Sequence, residues 1–166
     1  MDARARSGVQ RRRSAPGAVV ADDDDCVRAL LAMSLTEAGF LVTQANDGSS
    51  LIDVVSGWVA EGRDLPVLVL TDVQMPHVNG LTVLPRLRQL LPEARLIVMS
   101  GSLASSLETS TLRAGADAFI RKPFRLEELL ALIAALVAGA ASPDGASAGG
   151  VNDGRRVPAA QWPNES

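Results

Sequence analysis

Five short apolar runs alternate with five longer segments whose aliphatic residues recur at helical spacing, and no other feature restricts the fold of this chain as strongly. The runs Ala18–Ala21, Phe40–Gln44, Leu65–Thr71, Arg95–Ser100 and Ala118–Arg121 read as strands. Their apolar character is continuous, as in parallel strands covered on both faces. Between them, Val27, Leu30, Leu31 and Leu35 share one helical face, with Asp24 or Asp25 as the N-cap and Gly39 as the stop. Leu51, Ile52, Val55, Trp58 and Val59 mark a second helix after the Asn46-Asp47-Gly48 turn, and Leu81, Leu84, Leu87 and Leu91 a third. Leu107, Leu112 and Ala114 give a weaker fourth, and Leu126, Leu129, Leu130, Ile133, Leu136 and Val137 a strong fifth. A strict βα alternation with right-handed crossovers yields a doubly wound α/β domain, a parallel sheet with helices on both faces.

Composition narrows what such a domain does. The chain has 166 residues, 47% hydrophobic and 21% charged, enough for one domain with sequence to spare at each end. Residues 1–16 and 139–166 lack a sustained apolar period and read as a basic tail and an Ala/Gly/Ser/Pro-rich tail around a folded unit at 17–138. Five of the arginines precede Gly17, so the remainder is acidic and poorly suited to nonspecific contact with nucleic acid. Cys26 is the only cysteine, which excludes an intramolecular disulfide and fits a reducing cytoplasm. The apolar stretch from Leu129 to Ala141 falls short of the roughly 18 residues a membrane span requires, and no secretory signal is expected.

In doubly wound folds, ligands bind beyond the carboxyl ends of the strands. The residues falling there are Asp22 and Asp23 after the first strand, Asp72 after the third, Ser100 and Gly101 after the fourth, and Lys122-Pro123 after the fifth. Three convergent carboxylates repel one another, so their union calls for a cation, and hard oxygen donors favour Mg²⁺. By itself the run Asp22 to Asp25 is only an acidic turn and helix cap; its place after a buried strand makes it a ligand candidate. Lys122 is the sole lysine among 16 basic residues, a compact point charge in a chain that otherwise uses arginine. The Ser100 hydroxyl can donate to a phosphoryl oxygen, although strand-end serines are ordinarily turn residues.

These residues resemble the receiver domains of bacterial two-component response regulators. The resemblance spans Ala18 to Ala138 and rests on Val20-Ala21-Asp22-Asp23, Leu70-Thr71-Asp72-Val73-Gln74-Met75-Pro76 running on to Asn79-Gly80, Val98-Met99-Ser100-Gly101, and Gly115-Ala116-Asp117 leading to Lys122-Pro123-Phe124. It implies a flavodoxin-like sheet of order 2-1-3-4-5, phosphorylation of Asp72, and Mg²⁺ held by Asp22, Asp23, Asp72 and the backbone carbonyl of Gln74. It further implies phosphoryl contacts from Ser100 and Lys122, a switch role for Phe119, and a cis bond before Pro123. The implied partners are a sensor histidine kinase or phosphotransfer protein as donor and a protein effector downstream. Ala131, Leu132, Ala135 and Ala138 are expected to face outward on the fifth helix, an apolar face suited to a partner or to a homodimer through the fourth helix, fifth strand and fifth helix. Asn79 stands where the family often has aspartate, and the Gln74 side chain occupies a position that tunes dephosphorylation.

The rival reading is a phosphatase or phosphotransferase of the haloacid dehalogenase type, which also uses a strand-end aspartate and Mg²⁺. That chemistry needs a second acid two residues beyond the nucleophile, where this chain has Gln74. A degenerate receiver that never takes up phosphate is disfavoured by the complete set of acidic, hydroxyl and lysine residues. The 28 residues after Ala138 are too few for a helix-turn-helix domain, so a stand-alone unit without direct DNA binding is expected. His77, the lone histidine, reads as a solvated loop residue, Trp58 as core and Trp162 as tail.

Overall fold

A computed structural model describes residues 15–102 and 104–140. The expectations for residues 1–14 and 141–166 lie outside the described residues. Ten elements alternate in chain order: β1 (Gly17–Ala21), α1 (Asp25–Glu37), β2 (Leu41–Ala45), α2 (Gly48–Ala60), β3 (Leu68–Asp72), α3 (Gly80–Leu90), β4 (Arg95–Ser100), α4 (Ser105–Arg113), β5 (Ala118–Arg121) and α5 (Leu126–Ala140). All strand pairings are parallel, in the order β2-β1-β3-β4-β5. None of the described helices is long and apolar enough to cross a membrane.

The sheet divides the core in two, because successive side chains of a strand point to opposite faces. Val19, Ala21, Val69, Leu96 and Val98 pack on one side with Leu51, Val55, Leu84 and Leu87 from α2 and α3. Ala18, Val20, Leu68, Leu70, Ile97 and Met99 pack on the other with Leu31, Leu35, Leu129 and Ile133 from α1 and α5. Each fully buried leucine contributes about 2 kcal/mol relative to an exposed one.

Continuous apolar runs had implied five buried strands. β1, β3 and β4 are buried, whereas β2 and β5 are edge strands with partly exposed residues. β3 begins at Leu68; Leu65, expected inside it, is exposed, and the segment before the strand contains Pro66. Three residues assigned to helix core faces, Leu30, Val59 and Leu112, are exposed, and Thr111 takes the buried place beside Leu112. On α5, Ala131, Ala135 and Ala138 are exposed as expected, but Leu132 is partly buried against the core.

The starts of α1, α2 and α3 are fixed by local chemistry. The Asp24 carboxylate accepts from the backbone N–H groups of Cys26 and Val27, and Asp47 forms a capping box with Ser50. Asn79 accepts from Leu81 N–H at the start of α3. Gly80 admits no side chain: a Cβ there would lie 2.0 Å from the Asp72 carbonyl oxygen. That closeness lets α3 begin directly against the end of β3.

Candidate functional site

Parallel register brings four separated positions to one edge. Asp22 follows β1, Asp72 ends β3, Ser100 ends β4, and Lys122 follows β5. The Lys122 ammonium donates to Asp22 Oδ2 at 2.6 Å and to Asp72 Oδ2 at 3.2 Å. Its own backbone N–H donates to the Ser100 carbonyl at 2.8 Å, extending the β4–β5 ladder to the site. The Lys122–Pro123 peptide is cis.

Asp72 is buried and Asp22 fully so, while Asp23 is exposed. One carboxylate oxygen from each of the three can come within 4.8 Å of the others. Three ionised carboxylates against one ammonium leave two negative charges uncompensated, a deficit that a hard divalent cation matches. Oxygen-only donors, one of them open to solvent, suit such an ion. Burial raises the Asp72 pKa above the ordinary value, with the adjacent Lys122 pulling against it. Burial alone would lower that of Lys122, but the hydrogen bond to Asp22 and the charges of Asp72 and Asp22 together raise it.

The surroundings fix these groups further. Asp72 Oδ1 accepts from Gln74 N–H at 3.3 Å, and Thr71 Oγ1 donates to the Asp72 carbonyl at 3.2 Å. The Ser100 hydroxyl is fully buried and its oxygen accepts from Ser102 N–H at 3.1 Å. Phe119 pairs in register with Val98, two residues before Ser100, and is partly buried against the α2–α3 side of the core. His77 is exposed in the loop after β3, with a left-handed φ of 64°.

All the residues singled out at the strand ends thus share one edge, although Gln74 contributes only its backbone N–H to the contacts seen. Two features escaped sequence reasoning. Arg28 reaches back from α1, its Nη1 donating to the Asp22 carbonyl at 2.7 Å. An arginine one turn after the cap at Asp24 is the only sequence hint of it. Exposed Leu30 helps line an apolar groove of about 420 Å³ with Val27, Lys122, Pro123 and Phe124. Helical periodicity had assigned it to the core.

The family model described as the response regulator receiver domain matches residues 18–134. The response regulator MprA of Mycolicibacterium vanbaalenii is 38% identical over 128 residues, covering 77% of this chain and 53% of that protein. The DNA-binding transcriptional regulator NtrC of Azospirillum brasilense is 36% identical over 120 residues, covering 72% of this chain and 24% of that protein. The chain therefore spans about half the length of the MprA relative and about a quarter of the NtrC relative. A CheY-like receiver domain protein from Methanospirillum hungatei shares the fold, with a TM-score of 0.70 at 24% identity over 76% of this chain and 97% of that one. With its matched sequence, its 2-1-3-4-5 sheet and its acidic strand-end site, the chain belongs to the response regulator receiver domain family, in which phosphorylation of an aspartate is typical.

Proposed function

We propose that Asp72 is the phosphoacceptor of a Mg²⁺-dependent phosphorylation switch that takes its phosphoryl group from a histidine kinase or phosphotransfer protein. The observation that carries this reading is the Asp72 carboxylate itself, buried at the end of β3 and paired with Lys122 within reach of Asp22 and Asp23. In the transfer, an Asp72 oxygen forms the new bond to phosphorus as the bond to the donor breaks, and the electron pair leaves with the donor. Lys122 holds Asp72 in its ionised, nucleophilic form and offers positive charge to the transferred oxygens. Asp22, Asp23, Asp72 and the Gln74 carbonyl are the assigned Mg²⁺ ligands. Bound there, Mg²⁺ supplies charge neutralisation for the phosphoryl oxygens.

Ser100 and Phe119 are assigned to the response: the Ser100 hydroxyl contacts the phosphoryl group and Phe119 repacks beneath α4. Gln74 stands two positions after Asp72, where a phosphatase cycle would need a second acid, and this supports a switch over a phosphatase. Output is assigned to protein contacts of the α4–β5–α5 surface, with a protein effector or a second copy as partner. Exposed Leu112, Ala131, Ala135 and Ala138 support this surface. DNA binding is named for the NtrC relative, of which this chain covers 24%; the folded unit here is assigned no DNA contact of its own.

The test is incubation with acetyl phosphate and Mg²⁺ followed by intact mass measurement. Wild type gains one phosphoryl group and Asp72→Asn gains none. Undiminished labelling of the variant rules out the assignment.

A further inference from the structure

We infer that Arg28 is a positioning residue for the metal-binding carboxylates: by holding the Asp22 carbonyl, it fixes the direction in which Asp23 presents its own carboxylate. The inference rests on the reading of Asp22, Asp23 and Asp72 as the Mg²⁺ set.

The three carboxylates are braced very differently. Asp22 Oδ1 accepts from Asp24 N–H at 3.0 Å and Oδ2 from Lys122 at 2.6 Å. Asp72 Oδ1 accepts from Gln74 N–H, and Oδ2 from Lys122. The Asp23 side chain is exposed, and no hydrogen bond or ion pair reaches it among the described residues. What the fold sets for Asp23 is therefore its Cα–Cβ vector, through the two peptide groups that flank it.

Both of those peptides are pinned. The one after Asp23 is held through Asp24 N–H, which donates to Asp22 Oδ1. The one before it is held through the Asp22 carbonyl, which accepts from Arg28 Nη1 at 2.7 Å. The other guanidinium nitrogen of Arg28 pairs with Asp25, so a single side chain spans the loop from its first peptide to the first residue of α1. Arg28 is placed for this by the helix cap: its backbone N–H donates to the Asp24 carbonyl, the first bond one full turn into α1. Although it lies near the surface, its side chain is only 15% exposed, consistent with a guanidinium packed into the loop rather than extended into water.

Two roles of Arg28 would act on metal binding with opposite sign. As a bare positive charge near a cation site it repels the cation, so its removal would tighten binding. As a brace on the ligand loop it preorganises Asp23, so its removal weakens binding, as the loss of outer partners of metal ligands does. The geometry points to the second.

The experiment titrates Mg²⁺ into the full chain and its variants, following the backbone amide NMR shifts of Asp23 and Asp24, with thermal melts alongside. Arg28→Met is expected to weaken Mg²⁺ affinity about tenfold and to shift both amides even before Mg²⁺ is added. Arg28→Lys, with one donor group and the same charge, is expected to fall between. In labelling by acetyl phosphate, the loss should fall on the Mg²⁺ half-saturation concentration rather than on the plateau rate. A merely structural role would lower the thermal midpoint and leave the affinity of the folded protein unchanged. If Arg28→Met does not fold, Arg28→Gln, too short to reach the carbonyl, carries the same expectation. Affinity equal to or tighter than wild type in the folded variant overturns the inference. A wild type that neither binds Mg²⁺ nor is labelled on Asp72 would instead overturn the functional reading.

Discussion

At the residue scale, the site is governed by the conflict between burying Asp72 and keeping it charged. Burial is the larger influence and raises its pKa, so the folded state holds that proton more tightly than the unfolded state. The resulting stabilisation is complete below the ordinary carboxylate range and is lost as pH rises through the raised value. Lys122, also raised, keeps its charge throughout that range and does not reverse the sign. Without divalent cations, Asp72→Asn is therefore expected to melt at a higher temperature than wild type at neutral pH. The advantage should shrink as pH falls into the carboxylate range. Thermal melts across this window check it, and a variant no more stable than wild type at pH 7 would show that the Lys122 pairing outweighs burial. That Asp72 and Lys122 lie at strand ends was legible from position, since both follow apolar runs and Lys122 is the chain's only lysine. Their 3.2 Å contact across 50 residues was not, because it depends on the register of β3, β4 and β5.

At the scale of elements, the starts of α1, α2 and α3 follow from local signals, and helix phase does not. Asp24, Asp47 and Asn79 cap α1, α2 and α3 through hydrogen bonds within a few residues. The buried face of α4, by contrast, includes fully buried Thr111 and leaves Leu112 exposed. Thr111 is accommodated because its hydroxyl donates to the Glu108 carbonyl at 2.8 Å, so polarity alone could not reveal which side of the helix meets the sheet. A second tertiary device lies at the sheet edge away from the site. Asp117 accepts from Arg88 at 2.6 Å, from Arg95 at 3.3 Å and from Leu96 N–H at 2.8 Å. Arg95 also donates to the Leu136 carbonyl, so the cluster ties α3, β4, β5 and α5 together. Asp117→Ala is expected to cost about 1–3 kcal/mol by urea denaturation, since charged hydrogen bonds are lost and two half-buried guanidinium groups are left short of a partner. Labelling of the folded variant at Asp72 should persist. A loss below about 0.5 kcal/mol would mean that water replaces the carboxylate at little cost.

At the scale of the whole molecule, the site is a meeting of like charges, and a cation that binds only the folded chain stabilises it by mass action. Saturating Mg²⁺ is expected to raise the thermal midpoint of wild type, by an amount equivalent to about 2.7 kcal/mol at a hundredfold excess over Kd. An Asp23→Asn, Asp72→Asn double variant should show little of this gain, and an equal gain in both proteins would place the bound cation elsewhere. The sequence by itself determined the βα alternation, the helix caps and the set of strand-end residues, because these depend on hydrophobic period and on hydrogen bonds between near neighbours. Only the tertiary structure decided which strands lie at the sheet edges, which helix faces are buried, and how Arg28, Lys122 and Gly80 meet the acidic residues. Those contacts join positions six, eight, 50 and 100 residues apart. The two long contacts exist only once sheet order and register are set, and the two short ones depend on how the loops after β1 and β3 fold back on the strand ends.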